Sequence, residues 1–269
     1  MRAREFVERF EQFAPKSWAE PWDVPGLQLG DLDAPIHKIL VTLDVRPETV
    51  AEAIKVGADF IFAHHPAMFH PAKTLDLQVP QNQMYATILA HHITVYAAHT
   101  NLDSAPGGMN DWLAAALGLT HCTGLVPSNG REATSAIMMG RIGNLPTPTT
   151  VRAFARDCQT AFHLAGLRLI SNTPDAPVRR VAILGGSGSE FYPAALAQHA
   201  DVYVTGDVSY HPAQDMLAAG LSVVDPGHHI ESICIPQLTK LFTTWQTENN
   251  WDLTIQPLAI NTEPFTFMM

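Results

Sequence analysis

The sequence predicts an α/β fold built from two similar lobes facing each other. Two observations carry that reading. Short apolar, β-branched runs alternate with segments of helical periodicity along most of the chain. The two halves can also be overlaid without a gap over about 25 residues, which sets Val41 against Ile183, Ala58-Asp59 against Ala200-Asp201 and His64 against Gly206. Allowing a shorter connection in the second half, His99 falls opposite His228.

In chain order, the charged, periodic start from Met1 to Phe10 reads as an amphipathic helix. It lacks the apolar centre of a secretory signal. Lys38–Leu43 reads as a strand. Asp44–Val56 follows as a helix, with Pro47 near its start and Gly57 at its end. Asp59–Ala63 is a second strand running straight into His64-His65-Pro66. A helix over Gln81–Ala90 leads to a third strand, Ile93–Ala98, which ends at His99. Asn110–Leu117 is a helix closed by Gly118. The second half repeats this grammar: strand Arg180–Leu184, a glycine-rich turn, helix Phe191–His199, strand Asp201–Thr205, a helix through Asp215–Ala219, and strand Leu221–Val224 ending near His228-His229. Between the halves, 126–177 reads as a linker region rich in Pro and Gly, including Pro127, Gly130, Pro146, Pro148, Pro174 and Pro177, with one helix over Val151–Phe162. The expected division is therefore an N-terminal lobe over 1–125, the linker, and a C-terminal lobe over 178–269.

Composition narrows the function. Hydrophobic residues make up 46% of 269, a share that fills a packed interior. Lys and Arg number 16 against 26 Asp and Glu, so the net charge of −10 argues against a general nucleic-acid or anionic-membrane binder. No apolar stretch is long enough to span a membrane. Three widely spaced cysteines without a CxxC exclude a disulfide framework and a thiolate zinc site, and they point to the cytoplasm.

The thirteen histidines point to metal chemistry. Ligands of α/β sheets collect beyond the carboxyl ends of strands. Four strand ends carry polar groups here: His64-His65, His99 with Asp103, Thr205-Gly206-Asp207, and Asp225 with His228, His229 and Glu231. Imidazole and carboxylate together suit divalent Zn, Fe, Mn or Ni. Asp103 on a loop could bridge two cations; alone it would read as a turn or helix cap. If a helix starts at Gly227, His228 and Glu231 share a face, although Glu231 would equally serve as a first-turn acid favoured by the helix dipole. His229 points elsewhere, as a supporting or substrate-facing group. Gly185-Gly186-Ser187-Gly188 follows a strand, where it could offer backbone N–H groups to a phosphate; a plain tight turn fits it equally.

These segments together resemble the GTP cyclohydrolase type-2 homologue family, also called NIF-three-like proteins. The matching stretches are Trp22-Asp-Val-Pro-Gly-Leu-Gln-Leu-Gly30, Ala63-His-His-Pro66, Ala98-His-Thr-Asn-Leu-Asp103, Gly107-Gly-Met-Asn-Asp-Trp112, Gly185-Gly-Ser-Gly188, Thr205-Gly-Asp207 with His211, and Asp225-Pro-Gly-His228 with Glu231. The resemblance implies two α/β lobes across a dinuclear metal cleft, a toroidal homohexamer, and two divalent ions held by His64, His65, Asp103, His228 and Glu231. Many members place the last acid four residues after the histidine; here that position is Ser232, and Glu231 takes the variant spacing. The short linker implies that the large domain inserted in some members is absent. The expected function is a dinuclear metal-dependent hydrolase of a nucleotide or phosphate compound, with His99 and His229 moving protons. The alternative is a non-catalytic ring-shaped protein that binds or delivers metal. Its partners would be its own copies and a small-molecule substrate, with neither membrane nor nucleic acid.

Overall fold

The computed structural model describes residues 1–128 and 137–268. It is a mixed α/β structure with two sheets, in two compact units: 1–102 with 234–262, and 103–233 with 263–269. Among the described residues, no helix is long and apolar enough to cross a membrane.

The first unit holds α1 (Ala3–Phe13), β1 (Gly26–Leu29), β2 (Lys38–Thr42), α2 (Pro47–Val56), β3 (Phe60–Ala63), α3 (Pro80–Ala90) and β4 (Thr94–Ala97). It also holds the start of α4 (Thr100–Ser104) and, from the far end of the chain, the helix Cys234–Glu248 and the strand Thr254–Pro257. That strand pairs in parallel with β2, β2 with β3 and β3 with β4, while β1 closes the edge antiparallel to β4. Both faces are covered, so the strands are continuous apolar runs and side-chain alternation sorts them. Leu40, Ile61 and Val95 pack with Val50 and Ala53 of α2 and Met84, Tyr85 and Ile88 of α3. Phe62 and Tyr96 meet Phe10 of α1 on the opposite face, with Phe62 also 4.8 Å from Phe242 between ring centroids.

The second unit carries α5 (Met109–Ala116), β5 (Thr120–Pro127), β6 (Met138–Thr150), α6 (Val151–Ala161), β7 (Arg168–Ile170), β8 (Pro177–Ser187), α7 (Tyr192–Ala197), β9 (Val202–Gly206), α8 (Tyr210–Ala218) and β10 (Ser222–Asp225). Its sheet runs β5-β6-β8-β9-β10-β7. Strands β8, β9 and β10 are parallel and the others antiparallel. In chain order, the C-terminal helix and strand of the first unit are α9 and β11.

Two expectations are corrected here. Much of the stretch read as a linker, 126–177, belongs to the second sheet: β6 and β7 flank the parallel strands, and α6 packs against β6 and β8. Pro146 and Pro148 misled the reading. They fall where the β6–β8 register slips between Asn144 and Thr149, an irregularity that tolerates proline in a strand. Gly130 of that stretch lies outside the described residues. The chain past Ile233 also returns to the first unit, so the C-terminal lobe does not run to the end as one piece.

Candidate metal centre

In the first unit the candidate ligands stand at the carboxyl ends of two adjacent parallel strands, β3 and β4, with Asp44 beyond the end of the neighbouring β2. The ladder continues past the strands: His64 N–H donates to Thr42 O (3.2 Å), His65 N–H to Leu43 O (2.9 Å) and Ala98 N–H to Ala63 O (3.0 Å). The backbone that carries the histidines is thereby fixed.

Each ring is then fixed through Nδ1. His64 Nδ1 lies 2.7 Å from the Ala98 carbonyl, His65 Nδ1 2.7 Å from Asp44 Oδ1, and His99 Nδ1 3.0 Å from Asp23 Oδ1. A ring nitrogen facing a carbonyl or carboxylate must carry the proton, which sets the tautomer and leaves Nε2 as the basic nitrogen. The carboxylates are held in turn. Thr262 Oγ1 donates to Asp44 Oδ2 (2.5 Å), and Asp23 Oδ2 accepts from Thr100 N–H (3.0 Å) and its hydroxyl (2.6 Å). Burial alone would raise the Asp23 carboxyl, but the bonds from His99 and Thr100 outweigh it and hold it below the usual range.

One ring nitrogen from each of His64, His65 and His99 lies within 4.8 Å of the others, so these rings could hold a metal ion. The donor set fits: imidazoles in one tautomer, each backed by an acceptor, are the arrangement divalent first-row metals take. His99, read from sequence as a proton carrier, stands in this group.

In the second unit β9 is followed by Asp207, at φ +55°, and β10 ends in Asp225. Asp225 is a loop staple: Oδ1 accepts from Gly227 N–H, and Oδ2 from Val208 N–H and the Arg168 guanidinium. His228–Ile233 then forms a 3₁₀ turn, in which residues three apart eclipse. That geometry justifies the variant spacing, with His228 Nε2 lying 3.1 Å from Glu231 Oε2. His228 Nδ1 is 2.7 Å from Asp207 Oδ2. Burial works against a charged ring, yet the two carboxylates prevail and push His228 up to about 11. The position favours positive charge. His228 in turn holds the Asp207 carboxyl below its ordinary range.

The glycine-rich segment serves this acid. Strand β8 continues through Gly185 and Gly186 to Ser187. A Cβ at Gly185 would sit 2.9 Å from Glu231 Oε1, and one at Gly186 2.8 Å from it, with Gly186 at φ +63°. Of the four residues expected to form a phosphate turn, Gly185, Gly186, Ser187 and Gly188, the first and last already give their N–H groups to side-chain acceptors. Gly185 N–H donates to Asn110 Oδ1 (3.0 Å) and Gly188 N–H to Thr205 Oγ1 (2.9 Å), and a 3₁₀ turn, Ser189–Phe191, leads into the short α7. The glycines make room for a carboxylate.

Asp103 is buried on α4, where its carbonyl accepts from Asn110 Nδ2 (3.0 Å). His229 is half-buried in the 3₁₀ turn and joins none of the metal-capable groups among the described residues. Sequence reasoning missed Asp23, Asp44 and the role of Asp207. The signal for two of them was their place directly after a strand.

A family model described as Duf34/NIF3 (NGG1p interacting factor 3) matches residues 1–264. The chain belongs to the Duf34/NIF3 family. A relative from Streptococcus pneumoniae serotype 4, named GTP cyclohydrolase 1 type 2 homolog, is 42% identical over 268 residues, covering 98% of this chain and 99% of that one. A Bacillus subtilis protein of the same name is 29% identical in an alignment of 370 positions that covers 100% of this chain and 99% of its own. It thus carries a segment that this shorter chain lacks. Among solved structures, a Bacillus cereus protein related to NIF3 superposes with a TM-score of 0.93 at 28% identity, covering 100% of this chain and 99% of that one.

Proposed function

We propose that this NIF3-family chain is a divalent-metal-dependent hydrolase that holds two cations on His64, His65, Asp103, His228 and Glu231, and that it works as a homohexamer in the cytoplasm. The observation that carries the reading is the set of three imidazoles whose Nδ1 atoms are each tied to an acceptor and whose ligand nitrogens cluster within 4.8 Å. When bound, such cations supply Lewis acidity and let water lose a proton near neutral pH. The donor set suits Zn, Fe, Mn or Ni.

The chain's own residues prepare that chemistry. Asp44, Asp23 and the Ala98 carbonyl hold the Nδ1 protons, so that Nε2 of each ring is the donor. Asp207 does the same for His228, and the glycines at 185 and 186 let Glu231 approach His228. Asp103 neutralises cationic charge. His99 joins its neighbours as a further ligand or carries a proton at Nε2, and His229 exchanges a proton through its ring. The substrate class is a small molecule with a hydrolysable bond; the name carried by the relatives points to a guanine nucleotide.

The test combines elemental analysis, light scattering and a turnover screen of nucleotides and phosphoesters with each metal. More than one equivalent of metal, a mass near six times 29.4 kDa and turnover abolished by Asp103→Ala are expected. One equivalent or less under metal-replete conditions overturns the dinuclear assignment. Tight metal transfer without turnover would replace the hydrolase with a metal-delivery protein.

A further inference from the structure

Beside the three histidines, within the first unit, lies a concavity of about 300 Å³ lined by Trp22, Asp23, Val24, Phe69 and His70, among others. Large aromatic side chains normally bury most of their surface. Here Trp22 is 60% exposed and Phe69 57%, and Val24 of the same lining is 78% exposed. The two rings meet at 61° with centroids 6.1 Å apart, and both stand against His99, at 5.8 and 6.2 Å. The platform is pinned. Asp23, next to Trp22, binds the His99 ring and both donors of Thr100, and Glu20 N–H donates to Thr100 Oγ1 (2.9 Å).

The lining also shows what does not bind there. Among the described residues the lining contains no Lys or Arg, and its carboxylate, Asp23, is buried and already engaged. A polyphosphate would find no counter-charge. A flat, uncharged ring would find two aromatic walls, a polar edge at His70 and a volume at the small end of ligand pockets, too small for a polymer.

We propose that Trp22 and Phe69 form a subsite for an uncharged planar heteroaromatic ring, which places that part of the substrate beside His99. The assignment of the ring to a substrate rests on the hydrolase reading; the binding itself does not. The experiment titrates guanosine, and separately GTP, into chelator-stripped full-length protein, followed by saturation-transfer NMR. Guanosine binds with little dependence on salt, and GTP binds no more tightly. Trp22→Ala weakens guanosine by roughly tenfold, Phe69→Ala weakens it in the same direction, and Trp22→Phe restores most of the affinity, with circular dichroism unchanged throughout. No binding of guanosine to the wild type, binding unaltered by both alanine variants, or a GTP affinity that is far higher and strongly salt-dependent would each overturn the proposal. So would dissociation of the oligomer by Trp22→Ala together with absence of guanosine binding, since the face would then be covered by a second copy. Metal content measured on each variant before stripping separates the two readings: loss of the metal site leaves ring binding in place, and loss of ring binding leaves the metal.

Discussion

Residues 37–64 and 179–206 carry one local frame in two different units, and they end it in opposite ways. Asp59 accepts the N–H groups of His37 and Lys38, while Asp201 accepts those of Arg179 and Arg180. The preceding helix closes alike in both, through Ala58 N–H to Ala53 O and Ala200 N–H to Ala195 O. At the strand's end the likeness stops. His64 fills its position with a fully buried ring, whereas its counterpart Gly206 has no room for even a Cβ, which would lie 2.8 to 2.9 Å from backbone atoms of Gly227 and Gly186. The frame positions the strand ends, and the residues beyond them decide what each unit offers: three backed imidazoles in one, a histidine between two carboxylates in the other. The two units thus differ in the residues at and just beyond the strand ends, not in the frame that carries them.

The strongest way to break the comparison is Gly206→Ala. Its contacts are backbone, which cannot swing aside as a side chain end can, so we expect a loss of about 3 kcal/mol in denaturant unfolding. A loss below half of that would mean the loop at Gly227 yields readily, and the divergence of the two strand ends would not be steric. Smaller is Asp44→Asn, which keeps the shape but can present an amide N–H to His65 Nδ1 and favour the wrong tautomer. We expect metal affinity to fall by roughly 10- to 100-fold with stability nearly unchanged. An affinity equal to wild type would remove the backing carboxylate from the account of the first unit.

The sequence made the frame legible for a physical reason. Phe60–Ala63 and Val202–Gly206 are fully buried strands, so they read as unbroken apolar or small runs. The antiparallel strands on that side of the sheet carry no such mark: β5 is largely exposed and β6 contains two prolines and two glycines. From Val126 onward, β6 included, the stretch therefore reads as linker. At the site, His64, His65 and His228 stood out because adjacent histidines at strand ends are unusual. Asp23 did not, because it acts on His99 from 76 residues away. Histidine number also misled. His92, His163 and His199 sit at helix ends with φ of 54° to 56°, in the left-handed cap position, and are explained by backbone geometry alone.

Asp59→Ala and Asp201→Ala sharpen the comparison at the next level down. Each removes an acceptor for two backbone N–H groups at the start of a parallel strand. The bonds are charge-assisted but partly solvated, so about 1–2 kcal/mol is expected from each variant. The two costs should agree within about 0.5 kcal/mol, the tolerance for independent sites. A large inequality, read by urea melts of the two variants side by side, would show that the shared hydrogen-bond pattern does not carry shared energetics.

The smallest effect is the most symmetrical. Gly57 and His199 are equivalent cap positions with φ of 68° and 56°, one occupied by glycine and the other not. A Cβ at Gly57 meets nothing within 4 Å, so a side chain there suffers only the left-handed backbone. For an L-residue that conformation costs about 1 kcal/mol, part of which glycine returns through its greater freedom when unfolded. His199→Gly should therefore stabilise by about 0.5–1 kcal/mol, and Gly57→His should destabilise by a similar amount. Thermal unfolding of the two variants and of the double swap decides it. Near-cancellation in the double variant is expected if the two caps are energetically interchangeable. Stabilisation by His199→Gly without a matching loss at Gly57→His would place the difference in the His199 ring rather than in the backbone.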